Sequence, residues 1–579
     1  MKQIYLNEYN LESGDSVFLP YSTGILQAYA QKSKVIRDEY EFKPIIFRKD
    51  TVENIVAQYD NPDIVGFSTV VWNLELSLEV AHCLKRKFPN CLIVFGGPAV
   101  DKQFTHKHSE VDIAVYGEGE IVFTRILINR LSDINIFHNK TLIGAFQHQN
   151  LDIFPSPYTV GIYDKLLEDN PEIKFKALVE CNRNCPFGCA YCFWGQPELD
   201  KKIKYHSPQY IQADAKWIAK HNIDYVFCTD ANFGMFKRDI HTASIYAETK
   251  KRFGLPEKFR VCYGKNAKDS IFETACILNQ ANMDKLITLS VQSTNEKTLK
   301  AIGRKNISYN AFKNLQKRYI DANISTYTEF ILGLPCETKK SFLNGLESTL
   351  RTIGHNQIFV YPCLVLPNTR LYTQEYRKEY GLITKKVQMK VPHSNITNKE
   401  WVQEFDEVVV GTNTMSVEDW KECILTSWLI ELFHSLNVGR DIVRYIHQNY
   451  HFSYIEIYTQ IAKSNLDIVC ELRSQTDFIA SGKDHWSMTY PIYGDIYYEP
   501  EEMMYLHILF DKTHFYQQLW RFLKKWLNLN IKIQDDKLVD IFLKQQQNLP
   551  DTTDIKDWAS FAFNTIICGG KDNSINKNV

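Results

Sequence analysis

Short apolar runs alternate with amphipathic stretches from Lys2 to about Arg130. KQIYLNEY, FKPIIF, DIVGFSTVV, LIVFGG and DIAVYG read as strands, and Thr51 to Tyr59 and Leu76 to Phe88 as helices between them. Alternation of this kind predicts a parallel, doubly wound Rossmann-like sheet covered on both faces, which takes ligands beyond the C-terminal ends of its strands. Those ends carry Ser68, Thr69, Trp72 and Asn73, the Gly96-Gly97-Pro98 turn, and Gly117-Glu118-Gly119-Glu120. Glycine lets backbone come close to a ligand, although any one of these glycines is also explained by a tight turn.

A connector without periodicity, IFPSPYTVGIYDK among it, leads to a second alternating series. Its strands are KFKALVE (174–180), YVFCTD (225–230), RVCYGK (260–265), LITLSVQ (286–292), TYTEFILG (326–333) and IFVYPCLV (358–365). Helices over Pro208 to Lys220, Ser270 to Gln280, Tyr309 to Asp321 and Lys339 to Thr352 fall between them. Six such units predict a full or partial (β/α)6 barrel with its function at the C-terminal strand ends. Beyond about residue 395 the pattern changes to long amphipathic helices, such as Val417 to Leu436 and Phe515 to Leu527, rich in Trp, Tyr and Phe. The expected divisions are 1–135, a ligand-binding sheet domain; 136–172, a connector; 173–392, a barrel; 393–568, a helical domain; and 569–579, a polar tail expected to be disordered. The fold class expected is therefore α/β with a helical C-terminal part.

A chain of 579 residues exceeds one core and is consistent with that division. Its 67 basic and 68 acidic residues exert no broad pull on nucleic acid. No run approaches the roughly 18 apolar residues of a membrane span. The polar, charged stretch from Met1 to Asn10 does not resemble a signal peptide, so the expected location is cytoplasmic.

Most of the 14 cysteines are scattered, but VECNRNCPFGCAYCFWG sets Cys185, Cys189 and Cys192 in a CxxxCxxC spacing just after the first barrel strand. Three thiolates hold three corners of a four-iron four-sulfur cluster and leave one iron open. The competing ligand, structural zinc, wants four donors in paired knuckles, and no second knuckle follows.

This motif resembles that of the radical S-adenosylmethionine (SAM) superfamily, CxxxCx(aromatic)C, with Tyr191 as the aromatic. The resemblance implies that the open iron chelates SAM and that reductive cleavage yields a 5'-deoxyadenosyl radical. It also implies SAM contacts at other strand ends. Asp230 would meet the ammonium, with Asn232 beside it, Gln292 and Ser293 would meet the ribose or carboxylate, and Arg304 would assist at the carboxylate. The alternative for each is a cap or turn role. FILGLPCET resembles the superfamily's GLPGET, with Cys336 where glycine is usual. Lys265, Asn266 and Glu329 are further strand-end residues that either face substrate or form surface ion pairs. Cys181, outside the three-cysteine pattern, reads as a strand-end residue.

An alternating domain ahead of such a barrel, carrying VGFSTVVWN, VFGGPAV and VYGEGE, resembles the cobalamin-binding domain of cobalamin-dependent radical SAM enzymes. The DxHxxG signature is absent, which implies cobalamin held without that histidine. Trp72 and Asn73 would then lie near the corrin's lower face, unless Trp72 is a core aromatic. The commonest activity implied is methylation of an unactivated carbon of a small metabolite or natural-product intermediate. One SAM supplies the methyl through cobalamin, and a second supplies the radical. The partners implied are a small-molecule substrate and a low-potential donor of flavodoxin or ferredoxin type, with neither nucleic acid nor membrane. The alternatives are a radical rearrangement or oxidation without methyl transfer, and a non-catalytic sensor.

Overall fold

The structure is a computed structural model, and it describes residues 1–128, 136–137, 141–144, 150–196, 201–265, 269–284, 286–354, 356–483, 485, 487–528 and 535–550. The polar tail at 569–579 and Asn266 lie outside the described residues. The chain divides into two compact units. One comprises Met1–Asp284, Val365–Arg377 and Thr397–Asp406, and the other Lys285–Leu364, Lys378–Ile396 and Glu407–Val579.

The first unit opens with the parallel sheet. Strands Tyr40–Phe42 and Ile46–Arg48 flank Lys2–Asn10 on one side, and Ile64–Ser68, Leu92–Gly96, Ile113–Gly117 and Thr141–Gly144 follow on the other. Alternate residues of each strand feed two separate cores, as both faces of a doubly wound sheet require. Tyr5, Val65, Phe67, Ile93 and Phe95 face one core; Ile4, Leu6, Ile64, Val94 and Val115 face the other. The strand order reverses between Lys2–Asn10 and Ile64–Ser68, so the topological switch point, where such sheets bind ligands, opens beside Ser68 and Thr69.

A second parallel sheet in this unit runs Lys258–Arg260, Tyr225–Cys228, Lys174–Val179. It is extended by Ser16–Phe18, which pairs in parallel register with Lys174–Lys176. The sequence pattern gives no sign of this addition, because a strand of three residues is too short for a period to register. The third strand ends at Arg260 rather than Lys265, and Tyr263 makes only an isolated bridge to Phe233.

The second unit holds the remaining three barrel strands, Ile287–Thr288, Thr326–Leu332 and Gln357–Pro362, again parallel. The expected strand over 286–292 is reduced to Ile287–Thr288, and at its far end Gln292 takes φ +62, a left-handed conformation that no extended run continues through. Helices Tyr309–Asp321 and Lys339–Ile353 agree with the periodicity, each begun by a hydroxyl cap from Ser308 or Thr338. Helix Val417–Ile430 continues into a wider π turn, Glu431–Ser435. Side chains of that turn satisfy the free edge of Gln357–Pro362. Glu431 accepts from the Val360 amide at 2.8 Å, and Ser435 Oγ bridges the amide and carbonyl of Ile358. The remaining helices, among them Pro500–Phe510 and Lys512–Trp526, complete the helical C-terminal part.

Candidate functional site

The strand Lys174–Val179 ends in Glu180, Cys181, Asn182 and Arg183, and the last two pair antiparallel with Lys204 and Tyr205. From this hairpin the chain enters the cysteine loop. Cys185 and Cys189 are buried and Cys192 is half-buried, with half-buried Tyr191 beside it. The loop is tight at Gly195, where a Cβ would stand 2.0 Å from the Cys189 carbonyl oxygen, so glycine is required there. The Trp194 and Gly195 amides hydrogen-bond the Cys192 thiol, and two side-chain nitrogens donate to the other sulfurs. Asn232 Nδ2 reaches Cys185 Sγ at 3.0 Å, and Lys265 Nζ reaches Cys189 Sγ at 3.6 Å while lying 3.8 Å from the Phe187 ring centroid. Lys201 donates to the carbonyls of Phe187 and Trp194, and burial lowers its pKa.

Among the described residues, Cys181, Cys228 and Asp230 form the one set of three donor atoms lying within 4.8 Å of one another. At least one pair of the motif sulfurs therefore lies more than 4.8 Å apart, wider than the roughly 3.8 Å that a tetrahedral zinc with bonds of about 2.3 Å imposes on its thiolates. Wide spacing with N–H donors to sulfur fits a multi-iron cluster. Cys181 takes no part in this loop. It accepts a hydrogen bond from Cys228, which lowers its pKa, but burial together with the neighbouring Asp230 and Asp239 carboxylates outweighs that and pushes the thiol up to about 11.

Asp230 is engaged by the chain itself. One oxygen accepts from the amides of Cys181 and Asn182 at 2.8 and 2.9 Å, and the other from Asn182 Nδ2 at 2.5 Å. Burial pushes its carboxyl up to about 8. In the second unit, Gln292 combines its left-handed backbone with a buried Oε1 that has no hydrogen-bond partner, and its Nε2 faces Glu329 Oε2 at 3.5 Å. Strain and an unsatisfied acceptor at one residue are the marks of a ligand position. Ser293 Oγ donates to Glu337, and Arg304 is buried, donating to Asn306 Oδ1 and the Ser290 carbonyl. Cys336 has φ +62, the conformation for which glycine is the usual choice at that place.

At the switch point of the first sheet, the Thr69 amide and hydroxyl both donate to the Gly96 carbonyl. Gly97, at φ +101, passes so close that a Cβ would stand 2.4 Å from the Thr69 carbonyl oxygen. Fully buried Asn73 ties the loop together, donating to the carbonyls of Tyr9 and Ser68 and accepting from the Val70 amide. Trp72 is half-buried, its carbonyl capped by Lys49. The Pro98 carbonyl accepts from Asn368 Nδ2 at 3.0 Å. Close backbone at Thr69, Gly96 and Gly97 forms the cradle at this switch point. Glu118 and Glu120, by contrast, are committed to cations. Arg183 pairs with both and with Glu180, and Lys204 pairs with Glu118. Burial works against ionising Glu120, but Arg183 outweighs it and holds the carboxyl below its ordinary value. In that loop Gly117 and Gly119 offer backbone alone.

Arg183, Lys204 and Arg370 are residues around this loop that pattern reading missed, whereas Lys265, read as a strand-end residue facing substrate or a surface ion pair, instead meets Cys189 Sγ. The one available signal was a pair of basic residues flanking a cysteine motif, which says nothing of its distant acidic partners.

Comparison with known proteins places these features in families. Residues 179–348 match the Radical SAM superfamily, and residues 25–127 match the B12 binding domain. The cobalamin-dependent radical SAM methyltransferase TokK of Streptomyces tokunonensis is 34% identical over 470 residues, 78% of this chain and 68% of that protein. The 2-(S-pantetheinyl)-carbapenam-3-carboxylate methyltransferase of Streptantibioticus cattleyicolor is 33% identical over 461 residues, 77% and 67% respectively. Among solved structures, the radical SAM methyltransferase TsrM from Kitasatospora setae shares the fold. Its TM-score is 0.52 at 10% identity, over 82% of this chain and 99% of that one.

Proposed function

Since the chain belongs to the cobalamin-dependent radical SAM methyltransferases, we propose that it methylates an unactivated carbon of a small natural-product intermediate, with a carbapenam bearing a pantetheinyl thioether as the first substrate class to test. Its cofactors are a four-iron four-sulfur cluster, SAM and cobalamin. When bound, they supply the radical that removes a substrate hydrogen and the methyl group that replaces it.

The chain's own part is to hold and orient. Cys185, Cys189 and Cys192 would carry the cluster, while Asn232 and Lys265 donate to two of their sulfurs. Gln292 Oε1 offers a buried acceptor to a hydroxyl or ammonium of SAM, and Ser293 and Arg304 frame that position. Asp230 holds the strand ends around Cys181 and Asn182 in place. The cradle of Ser68, Thr69, Trp72, Gly96 and Gly97 would receive the corrin. The electron donor is proposed to be a flavodoxin- or ferredoxin-type protein. The observation that carries the reading is the three-thiol loop, its sulfurs met by N–H donors, in a chain that also holds a B12 domain.

The test is an anaerobic reconstitution with iron, sulfide, hydroxocobalamin, SAM and a low-potential reductant. With a pantetheinyl carbapenam present, S-adenosylhomocysteine and 5'-deoxyadenosine are both expected, together with a product heavier by one methylene. Deoxyadenosine without S-adenosylhomocysteine would refute methyl transfer.

A further inference from the structure

The loops that would hold the two metal cofactors are bonded directly to each other within the first unit. Arg183, two residues before Cys185, donates through Nη1 to Glu118 at 3.1 Å and through Nη2 to Glu120 at 2.7 Å. It is anchored on its own strand by both oxygens of Glu180, each at 2.8 Å. The hairpin register sets Lys204 directly opposite, and Lys204 Nζ takes both oxygens of Glu118 at 2.9 and 2.7 Å. Lys204 is 1% exposed and the Arg183 side chain 10% exposed, so solvent does not screen the group as it does a surface pair.

Two further links join the same loops. Tyr116, on the strand leading into Gly117–Glu120, donates to Gln196 Oε1 at 2.6 Å, just beyond the cysteine loop. The segment Val365–Arg377 works as a strap. Asn368 Nδ2 donates to the carbonyls of Pro98 and Val100, while Arg370 donates to the Gly188 carbonyl and the Leu371 amide to the Ala190 carbonyl.

We propose that Arg183 is a positioning residue that couples the two cofactor sites, so that ordering of the cysteine loop by its cluster orders the Gly117–Glu120 loop for cobalamin. The proposal rests on the reading that this loop borders the cobalamin site, but not on the reaction catalysed. Two ligands that favour the same ordered arrangement raise each other's affinity by one common factor, which reciprocity makes measurable from either side. The guanidinium suits this role because its planar fork engages three carboxylates at once, which a lysine ammonium cannot reproduce in the same geometry.

The experiment measures hydroxocobalamin affinity of the full-length chain with its cluster reconstituted and after the iron is removed by chelation, with no SAM, substrate or turnover. In the wild type, cluster loading is expected to tighten cobalamin binding about five-fold or more. In Arg183→Met the ratio falls to about one. Arg183→Lys restores part of the ratio. Glu120→Gln, which keeps Arg183 and the Glu118 pair, lowers the ratio without abolishing it, and this variant carries the test should Arg183→Met fail to fold. A wild-type ratio of one, or a ratio unaltered in both Arg183→Met and Glu120→Gln, overturns the proposal. Absence of methyl transfer by the wild type in the separate reconstitution with SAM, with the ratio intact, would instead tell against the proposed activity.

Discussion

The two side-chain nitrogens aimed at the cysteine sulfurs are the residue-level feature with the most direct consequence. A hydrogen bond from a cation to a ligating sulfur favours the more negative, reduced cluster, so it raises the reduction potential. Lys265→Met is therefore expected to lower the cluster's midpoint potential in an EPR-monitored titration. An unchanged or higher midpoint would mean that Lys265 does not act on Cys189. Cys336 allows a second single-residue prediction. Its left-handed backbone costs a side chain about 1 kcal/mol or more, whereas glycine removes that cost but adds up to about 1 kcal/mol of unfolded-state entropy. Cys336→Gly should thus leave stability within about 0.5 kcal/mol of wild type, while Cys336→Val, stiff at Cβ, should lose about 1–2 kcal/mol. Denaturant melts of the two variants, expected to differ in midpoint, distinguish them from a relaxed site where both are neutral. At this scale the sequence was legible where chemistry is local. The cysteine spacing identified the loop. It was illegible where a side chain's duty depends on distant partners. An aspartate at a strand end looks the same in sequence whether it awaits a ligand or, like Asp230, accepts from Cys181 and Asn182.

Among the elements, the π turn Glu431–Ser435 does what a further strand would do. An open parallel edge leaves amides unpaired, and each buried unpaired amide costs about 1–3 kcal/mol. Here the Glu431 carboxyl and Ser435 hydroxyl close the edge of Gln357–Pro362. Burial, then the neighbouring Glu501, raises the Glu431 pKa well above the ordinary value, and burial followed by Glu502 pushes Glu501 up to about 8. Glu499 adds to the negative field, and His393 takes Glu502 as its partner at 2.6 Å. Groups raised on folding hold protons that the unfolded chain has released, so stability falls as pH rises through the interval between the two values, from about 4.5 to about 8 for Glu501. Glu501→Gln should flatten that slope in melting temperature against pH, and an unchanged slope would place its origin elsewhere. Glu431→Leu removes the acceptor and should cost about 1–3 kcal/mol, while Glu431→Gln, which keeps it, should cost less. Long helices with a hydroxyl cap were the elements most readable in advance, because periodicity and cap are both local. The strand Ser16–Phe18 was not, since three residues are too few for a period to register and its place in the sheet comes from pairing with residues more than 150 positions away.

On the scale of the whole molecule, the order of domains along the chain does not match the order of contacts around the cysteine loop. Segments from 98–120, 183–206 and 365–377 meet there within one compact unit. The last of these follows all six barrel strands and belongs to no ligand motif, so nothing in its composition announces that it restrains the cysteine loop. Arg370 Nη2 and the Leu371 amide hold the carbonyls of Gly188 and Ala190 on either side of Cys189. A loop held at both neighbours of a ligand opens less often, and release of iron to a chelator requires such opening. Arg370→Ala should therefore speed the transfer of cluster iron to a ferrous chelator several-fold, with little change in melting temperature, because a hydrogen bond such as that to Gly188 is worth about 1 kcal/mol in a large cooperative structure. Asn368→Ala detaches the same strap at its other end, from Pro98 and Val100, and should give a smaller increase in the same assay. Equal and unchanged release rates in both variants would show that the cysteine loop keeps its own shape, and that the strap serves the N-terminal sheet alone.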